Sequence, residues 1–290
     1  MAPEVVALAQ DLLERAGALE VGPPTPLELV LDYLAGHGLE LHYYDPKGAP
    51  APIQGVASAV DEALVPDGPR ALLFVNQDRP QTRTRFSIFH GIGHFWLPGH
   101  RRLSYLGRGC ATQPLTARPY ERQAHRFAAA MNMPPRRFRD DMSRLSFGLR
   151  AVEELAQRYI ASVESAAIHY VTLADVPCAV VWLQPDCEDN GFRQPGSPLK
   201  VRYQVRSPSF PFSIRPGTPI PLDDNLFWRC SEEELLAEGS VDGTCLGLKR
   251  ELELWVDCVP QGHMGDLLAL VCPGDMPHDC LIYDDRGGEG

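Results

Sequence analysis

Helical periodicity, with a few strand-like runs between residues 39 and 76, dominates the chain as far as Asp175, and short β-like runs between Pro- and Gly-rich loops replace it from there on. No single hydrophobic period serves both textures, so this change limits the fold to separate helical and sheet-rich parts with a boundary near residue 175. Val6, Ala9, Leu12, Leu13 and Ala16 predict a helix over residues 3–19. Thr25, Pro26 and Glu28 read as a capping box that opens a second helix, stopped by Gly36 and Gly38. Alternation predicts strands at Leu39 to Tyr44, Gly55 to Val60 and Ala71 to Asn76, hence a small antiparallel sheet. Helices follow at about 82–97 and 119–133. Segments 149–159 and 162–173 then form a helix-turn-helix-like pair, the second capped by Ser162. The β-like runs are 178–183, 199–205, 252–256 and 267–271.

The 290 residues, 44% hydrophobic and 22% charged, suffice for two domains with a sizeable core. A net charge of −11 opposes nonspecific adhesion to DNA or anionic membranes. No stretch approaches the roughly twenty apolar residues that span a bilayer, and the N-terminus carries no leader pattern. A cytoplasmic location is expected, without membrane contact. The eight cysteines form no Cys-x-x-Cys pair and read as small buried hydrophobes. Cys272, His278 and Cys280 have a spacing that suits no common metal site. Trp182, Phe192, Tyr203, Phe210, Phe212, Phe227 and Trp228 read as core and loop anchors rather than a ligand pocket.

The stretch His90-Gly91-Ile92-Gly93-His94 sets two imidazoles four residues apart. On a helix that is about 40° of rotation and one turn of rise, so both rings can reach one ion. Ile88, Ile92, Phe95 and Trp96 occupy the opposite face. Nine histidines can produce such a pair by chance, and alone it serves equally as core or surface. A third ligand is offered by Glu121, at the start of a helix whose same face carries Ala124, Ala128 and Asn132. The small alanines would let two helix backbones approach, completing a two-His, one-carboxylate site with an open fourth position. The plainer alternative is a first-turn acid that stabilises its own helix by about 0.3–1 kcal/mol. On the residues alone, both readings stay open.

Arg85-Phe86-Ser87-Ile88-Phe89-His90-Gly91-Ile92-Gly93-His94 resembles the R-F-T-x-x-H-E-x-x-H helix of the ImmA/IrrE-type metallopeptidases, a family that includes the Deinococcus radiation-resistance regulators. The segment from Glu121 to Pro134 resembles that family's E-x-x-A-N-x-F-A-A-x-L-L-M-P helix. Order and spacing agree from about residue 70 to 174. The resemblance implies an α+β architecture: a zincin-like metallopeptidase domain over 1–140, a helical, helix-turn-helix-like linker over 141–175, and a C-terminal α/β GAF-like sensor domain over 176–290. The GAF-like assignment rests on position and texture. The resemblance further implies that His90, His94 and Glu121 hold Zn, with Mn the other candidate. The implied partner is a helix-turn-helix transcriptional repressor, cleaved in the family to derepress stress or DNA-damage genes.

Two departures stand out. The family's Asn is His125 here, either a plain helix-face histidine or a further candidate ligand beside the three. The family's Glu is Gly91. That glutamate takes a proton from water activated by the ion and passes it to the leaving amine, and Gly91 does neither. Losing a general base costs a factor of about 10²–10⁴ in rate. Glycine also costs about 1 kcal/mol in a helix interior, and nothing in the sequence compensates for it. Open space is therefore expected beside Gly91, metal binding should survive, hydrolysis should be impaired, and Gly91→Glu should gain peptidase activity. The alternatives are a pseudo-peptidase that binds the repressor without cutting, and a regulator that contacts DNA through residues 149–174. The face predicted to be exposed there, Glu164, Ser165, His169 and Thr172, lacks the Arg, Lys, Asn and Gln that read base edges, which argues against direct DNA binding.

Overall fold

The computed structural model describes residues 3–100, 105–106, 118–185, 198–221, 226–233, 237–249, 251–261 and 265–274. They form two compact units, one of residues 1–138 with 155–162 and one of 139–154 with 163–290.

In the first unit, α1 (Pro3–Arg15) buries Val5, Ala9, Leu12 and Leu13 along one stripe. It ends before the expected residue 19 because Gly17 turns left-handed, at φ +66°, and the Ala18 amide closes onto the Leu13 carbonyl at 2.9 Å. Helix α2 (Leu27–Ala35) lacks the expected capping box. The Thr25 hydroxyl instead donates 2.8 Å to the Met131 carbonyl, in the last turn of another helix, where backbone acceptors lack helical partners.

A four-stranded sheet follows: β1 (Leu39–Tyr44), β2 (Glu62–Asp67), β3 (Arg70–Asn76) and β4 (Tyr105–Leu106), in the order β1-β3-β2-β4. It is mixed rather than antiparallel, since β1 runs parallel to β3. The strand expected at Gly55 to Val60 is a turn with a short 3-10 segment at Ala57–Ala59. The Tyr44 hydroxyl lies 3.2 Å from the Ala57 carbonyl and 3.0 Å from that of Val60, and Ile53 and Ala57 bury against Phe74. Pairing passes instead to β2, joined to β3 by a tight turn at Gly68-Pro69.

Helices α3 (Gln81–Trp96) and α4 (Arg118–Asn132) pack together and close the core over β3 through Ile88, Phe89, Ile92, Phe127 and Met131. Gly93 is the point of closest approach. A Cβ there would lie 3.2 Å from the Ala124 Cα and 3.2 Å from the Phe127 ring, so only a glycine facing a small residue allows this spacing. Arg85 ties the same helices to the chain's start, donating to Asn132 Oδ1 at 2.7 Å and to the Thr25 carbonyl, with its guanidinium 5.1 Å from the Phe89 ring centre. Helix α5 (Pro135–Met142) starts directly after the helix-stopping Pro134.

The second unit takes its first residues from α5 and from α6 (Leu149–Tyr159), and continues through α7 (Val163–Leu173). Its sheet comprises β5 (Ala179–Pro185), β6 (Leu199–Arg206), β7 (Ala237–Asp242), β8 (Glu253–Gln261) and β9 (Asp266–Pro273). The order is β6-β5-β9-β8-β7, antiparallel throughout, with α8 (Leu226–Glu233) inserted before β7. One face buries Val181, Leu183, Phe210, Phe227, Leu254 and Val256. The face of α7 expected to meet solvent is half-buried at Glu164, Ser165 and Thr172 and enclosed at His169. His169 is 3% exposed, and Glu164 accepts a hydrogen bond from the Tyr203 hydroxyl on β6, which explains why a polar-looking face lacks base-reading side chains. Cys178, Cys230, Cys258 and Cys272 are buried, as expected for small hydrophobes, whereas Cys245 is half-buried. Cys110, Cys187, Phe192, His278 and Cys280 lie outside the described residues.

Phe127 is fully buried where α4 meets Gly93. Phe127→Ala is expected to lower stability by about 3–5 kcal/mol, read as an earlier urea midpoint at unchanged slope.

Candidate metal centre

Three donors converge in the first unit. His90 and His94 leave α3 one turn apart, and Glu121 leaves the first turn of α4 at the level where the two helices touch. His90 Nε2 lies 3.4 Å from one Glu121 oxygen and His94 Nε2 lies 3.4 Å from the other. The three ligand atoms fall within 4.8 Å of one another, and all three residues are buried, at 4%, 1% and 3% exposure. His90 Nε2 and Glu121 Oε1 are buried with no hydrogen-bond partner. Leaving such atoms unpaired costs about 1–3 kcal/mol each, so a divalent cation among them answers a deficit that the protein itself leaves. The donor set, two imidazoles and a carboxylate, suits zinc and comparable ions.

The outer nitrogens fix which way the inner ones face. His90 Nδ1 is 2.7 Å from Glu62 Oε1 on β2. A carboxylate only accepts, so Nδ1 carries the proton and the bare Nε2 faces the cluster. The second imidazole is oriented by a longer relay. His100 Nε2 donates to Gln123 Oε1 at 2.9 Å, which leaves His100 Nδ1 to accept from His94 Nδ1 at 3.0 Å. His94 Nε2 is thereby also bare toward Glu121.

The charges agree. Burial opposes a charged His90, but the nearby Glu121 and Glu62 carboxylates outweigh it and raise its pKa to about 9. Burial draws His94 down to about 4, its bond to Glu121 notwithstanding. Burial also works against ionised Glu121, yet its bonds to His90 and His94 hold the carboxyl below its usual range. Two carboxylates around two imidazoles thus call for positive charge, which a proton on His90 or a divalent ion supplies.

Position 91 is not open space. A Cβ on Gly91 would come 2.3 Å from Leu73 Cδ1, 2.9 Å from Cδ2 and 3.2 Å from Cγ, and Leu73 is fully buried in β3. The structural reason missing from the sequence is therefore supplied by the sheet. Leucine fills the ground a glutamate would need, and Gly91 is the residue that lets α3 lie there. His125 stands on the exposed side of α4, its ring 4.6 Å from His90 and 5.5 Å from Phe86, and the three-donor cluster forms without it.

Glu62, His100 and Gln123 were not singled out in the sequence. Glu62 opens an apolar strand with no periodic signal. For His100 there was one: Pro98-Gly99 ends α3 and turns the chain back, so the next polar residue returns to the helix's last turn.

A buried two-His, one-carboxylate cluster on adjacent helices over a mixed sheet is thus a candidate metal site. Residues 50–169 match the Peptidase_M78 family, described as the IrrE N-terminal-like domain, and the chain carries a domain of that family. Among solved structures it is similar to a Mycobacterium tuberculosis transcriptional regulator, at 14% identity and a TM-score of 0.59, over 99% of this chain and 94% of that one. No curated protein matches the sequence.

Gly91→Ala is expected to lower stability despite alanine's better helix propensity. Overpacking against Leu73 costs about 1–3 kcal/mol, while propensity returns only about 1 kcal/mol. Combining it with Leu73→Ala should show favourable coupling of at least about 0.5 kcal/mol in a double-mutant cycle. A Gly91→Ala protein more stable than the parent would disprove this packing.

Proposed function

We propose that this chain is a cytoplasmic, metal-holding transcription regulator of the IrrE kind, acting in a stress or DNA-damage response. It recognises a helix-turn-helix repressor protein, and its capacity to cleave that repressor is impaired. The observation that carries this reading is the pairing of an intact ligand cluster at His90, His94 and Glu121 with Leu73 standing where residue 91 would extend a proton-transferring side chain. Zinc is the first candidate ion and manganese the second, and a bound ion would supply Lewis acidity toward a peptide carbonyl.

What the chain's own residues do follows from their contacts. Glu62 and the His100–Gln123 relay orient the imidazoles, and Glu121 balances the charge. Exposed His125 is placed to meet a peptide at the mouth of the site. Of the buried carboxylates here, Glu62 is held by His90 and Glu121 belongs to the cluster. Neither is free to shuttle a proton as the family's glutamate does.

The second unit fits a sensor role of the GAF-like kind, a single antiparallel sheet whose first strand pairs with both the second and the last, with a helix over one face. Direct DNA contact is disfavoured by the net charge of −11 and by the buried His169 and engaged Glu164 on α7. Among the described residues, no helix is long and apolar enough to cross a membrane.

Purified without chelator, the protein should carry close to one equivalent of divalent metal, lost in His90→Ala and in Glu121→Ala. The parent chain should bind its repressor yet cleave it at least about 10²-fold more slowly than the Leu73→Ala, Gly91→Glu double variant, the factor expected of a general base. Full cleavage by the parent would refute the impaired-peptidase reading, and absence of stoichiometric metal would refute the metal centre.

A further inference from the structure

The second unit contains a cavity of about 490 Å³, between the loop that leads into α6 and the strands β7 and β8. Its volume lies within the range of small-molecule sites, roughly 300–1,000 Å³. Trp255 and Phe147 line it, their ring centres 6.2 Å apart and tilted by 53°. Asp257 of β8 lines it as well and is 3% exposed.

Only half of that carboxylate is used. Oδ2 accepts the Leu149 amide at 2.6 Å and so caps the start of α6, while Oδ1 is buried with no hydrogen-bond partner. Native proteins rarely leave a buried acceptor unpaired without a reason. Capping explains one oxygen and leaves the other unexplained.

The surroundings state what partner would suit it. Glu154 and Glu238 share the lining, giving three carboxylates with Asp257 against the exposed guanidiniums of Arg144 and Arg150. Arg144 is already directed to Asp141, 3.9 Å away. Burial, with Glu238 and Glu153 adding to it, raises the Asp257 pKa to about 6, against the Leu149 amide and Arg150, which lower it. A positive charge brought to Oδ1 would relieve that penalty. The aromatic pair offers ring faces to which a cation or a flat ring is drawn.

We propose that this cavity binds a small organic cation, an aromatic amine or amidine whose N–H donates to Asp257 Oδ1 while its ring lies against Trp255 and Phe147. The site is separate from the metal centre, since every lining residue belongs to the second unit. It would give the regulator an input of its own.

Benzamidine is a suitable probe, titrated into the full chain by calorimetry and by quenching of tryptophan fluorescence, with benzoate as the ring of opposite charge. Saturable benzamidine binding is expected, with benzoate at least tenfold weaker. Asp257→Asn retains an oxygen for the Leu149 amide, so the fold should persist by circular dichroism while benzamidine affinity drops tenfold or more. Glu238→Gln, on an exposed strand position, should weaken binding a few-fold and serves as the second variant if Asp257→Asn fails to fold. His90→Ala should leave benzamidine binding unchanged. A flat titration of the parent, equal affinity for benzoate, or unaltered affinity in the Asp257 and Glu238 variants overturns the proposal.

Discussion

The first unit depends on how closely α3 can lie against α4. At Gly93 the α3 backbone meets the Ala124 backbone with no side chain between them, and any Cβ at 93 would sit at about the limit of contact. This approach carries Glu121, three residues before Ala124, to within 3.4 Å of both imidazoles. A helix pair spaced by larger side chains, at the usual 8–10 Å, would hold carboxylate and histidines too far apart to share one ion. Packing therefore sets the chemistry, and the arrangement of donors follows from two small residues that carry no functional group.

Orientation is a separate matter, and the sheet and the turn after α3 provide it. Glu62 on β2 and His100 beyond Pro98-Gly99 come from segments on either side of the helix, and each takes the outer nitrogen of one imidazole. Both rings thus present bare Nε2 atoms to the same point. The cluster is buried and its atoms are not satisfied by the protein alone, so its free energy is governed by what positive charge it holds. A proton between His90 and Glu121 and a divalent ion would occupy the same place, so a bound ion would displace that proton.

The convergence of three donor side chains was legible because a helix translates spacing directly into geometry. His90, His94 and Glu121 needed only the i, i+4 rule and a small-residue stripe at Ala124 and Ala128. Long periodic helices were legible for the same reason. What escaped were features decided by distant partners. Thr25 has every mark of a cap, yet a helix carbonyl 106 positions away claims its hydroxyl. The segment from Gly55 to Val60 alternates like a strand, but the Tyr44 hydroxyl and the pocket around Phe74 hold it in turns. The polar face of α7 looked solvated, but it is half-buried, with His169 enclosed and Glu164 held by Tyr203 of β6. In each case local propensity, worth tenths of a kcal/mol to about one, yields to burial worth more.

Position 91 shows the same limit on a functional residue. From the sequence, glycine there is a deletion of a base and a flaw in a helix; in the structure it is half of a packed pair whose other half, Leu73, lies on a strand that α3 crosses. A lone loss of glutamate would have left a void, and a void beside fully buried leucine would cost stability in proportion to its volume. Instead β3 fills the space. The donor cluster and the position of a proton-moving side chain thereby come apart: the donors stand on α3 and α4, whereas a side chain at 91 would require the buried Leu73 side chain to move aside.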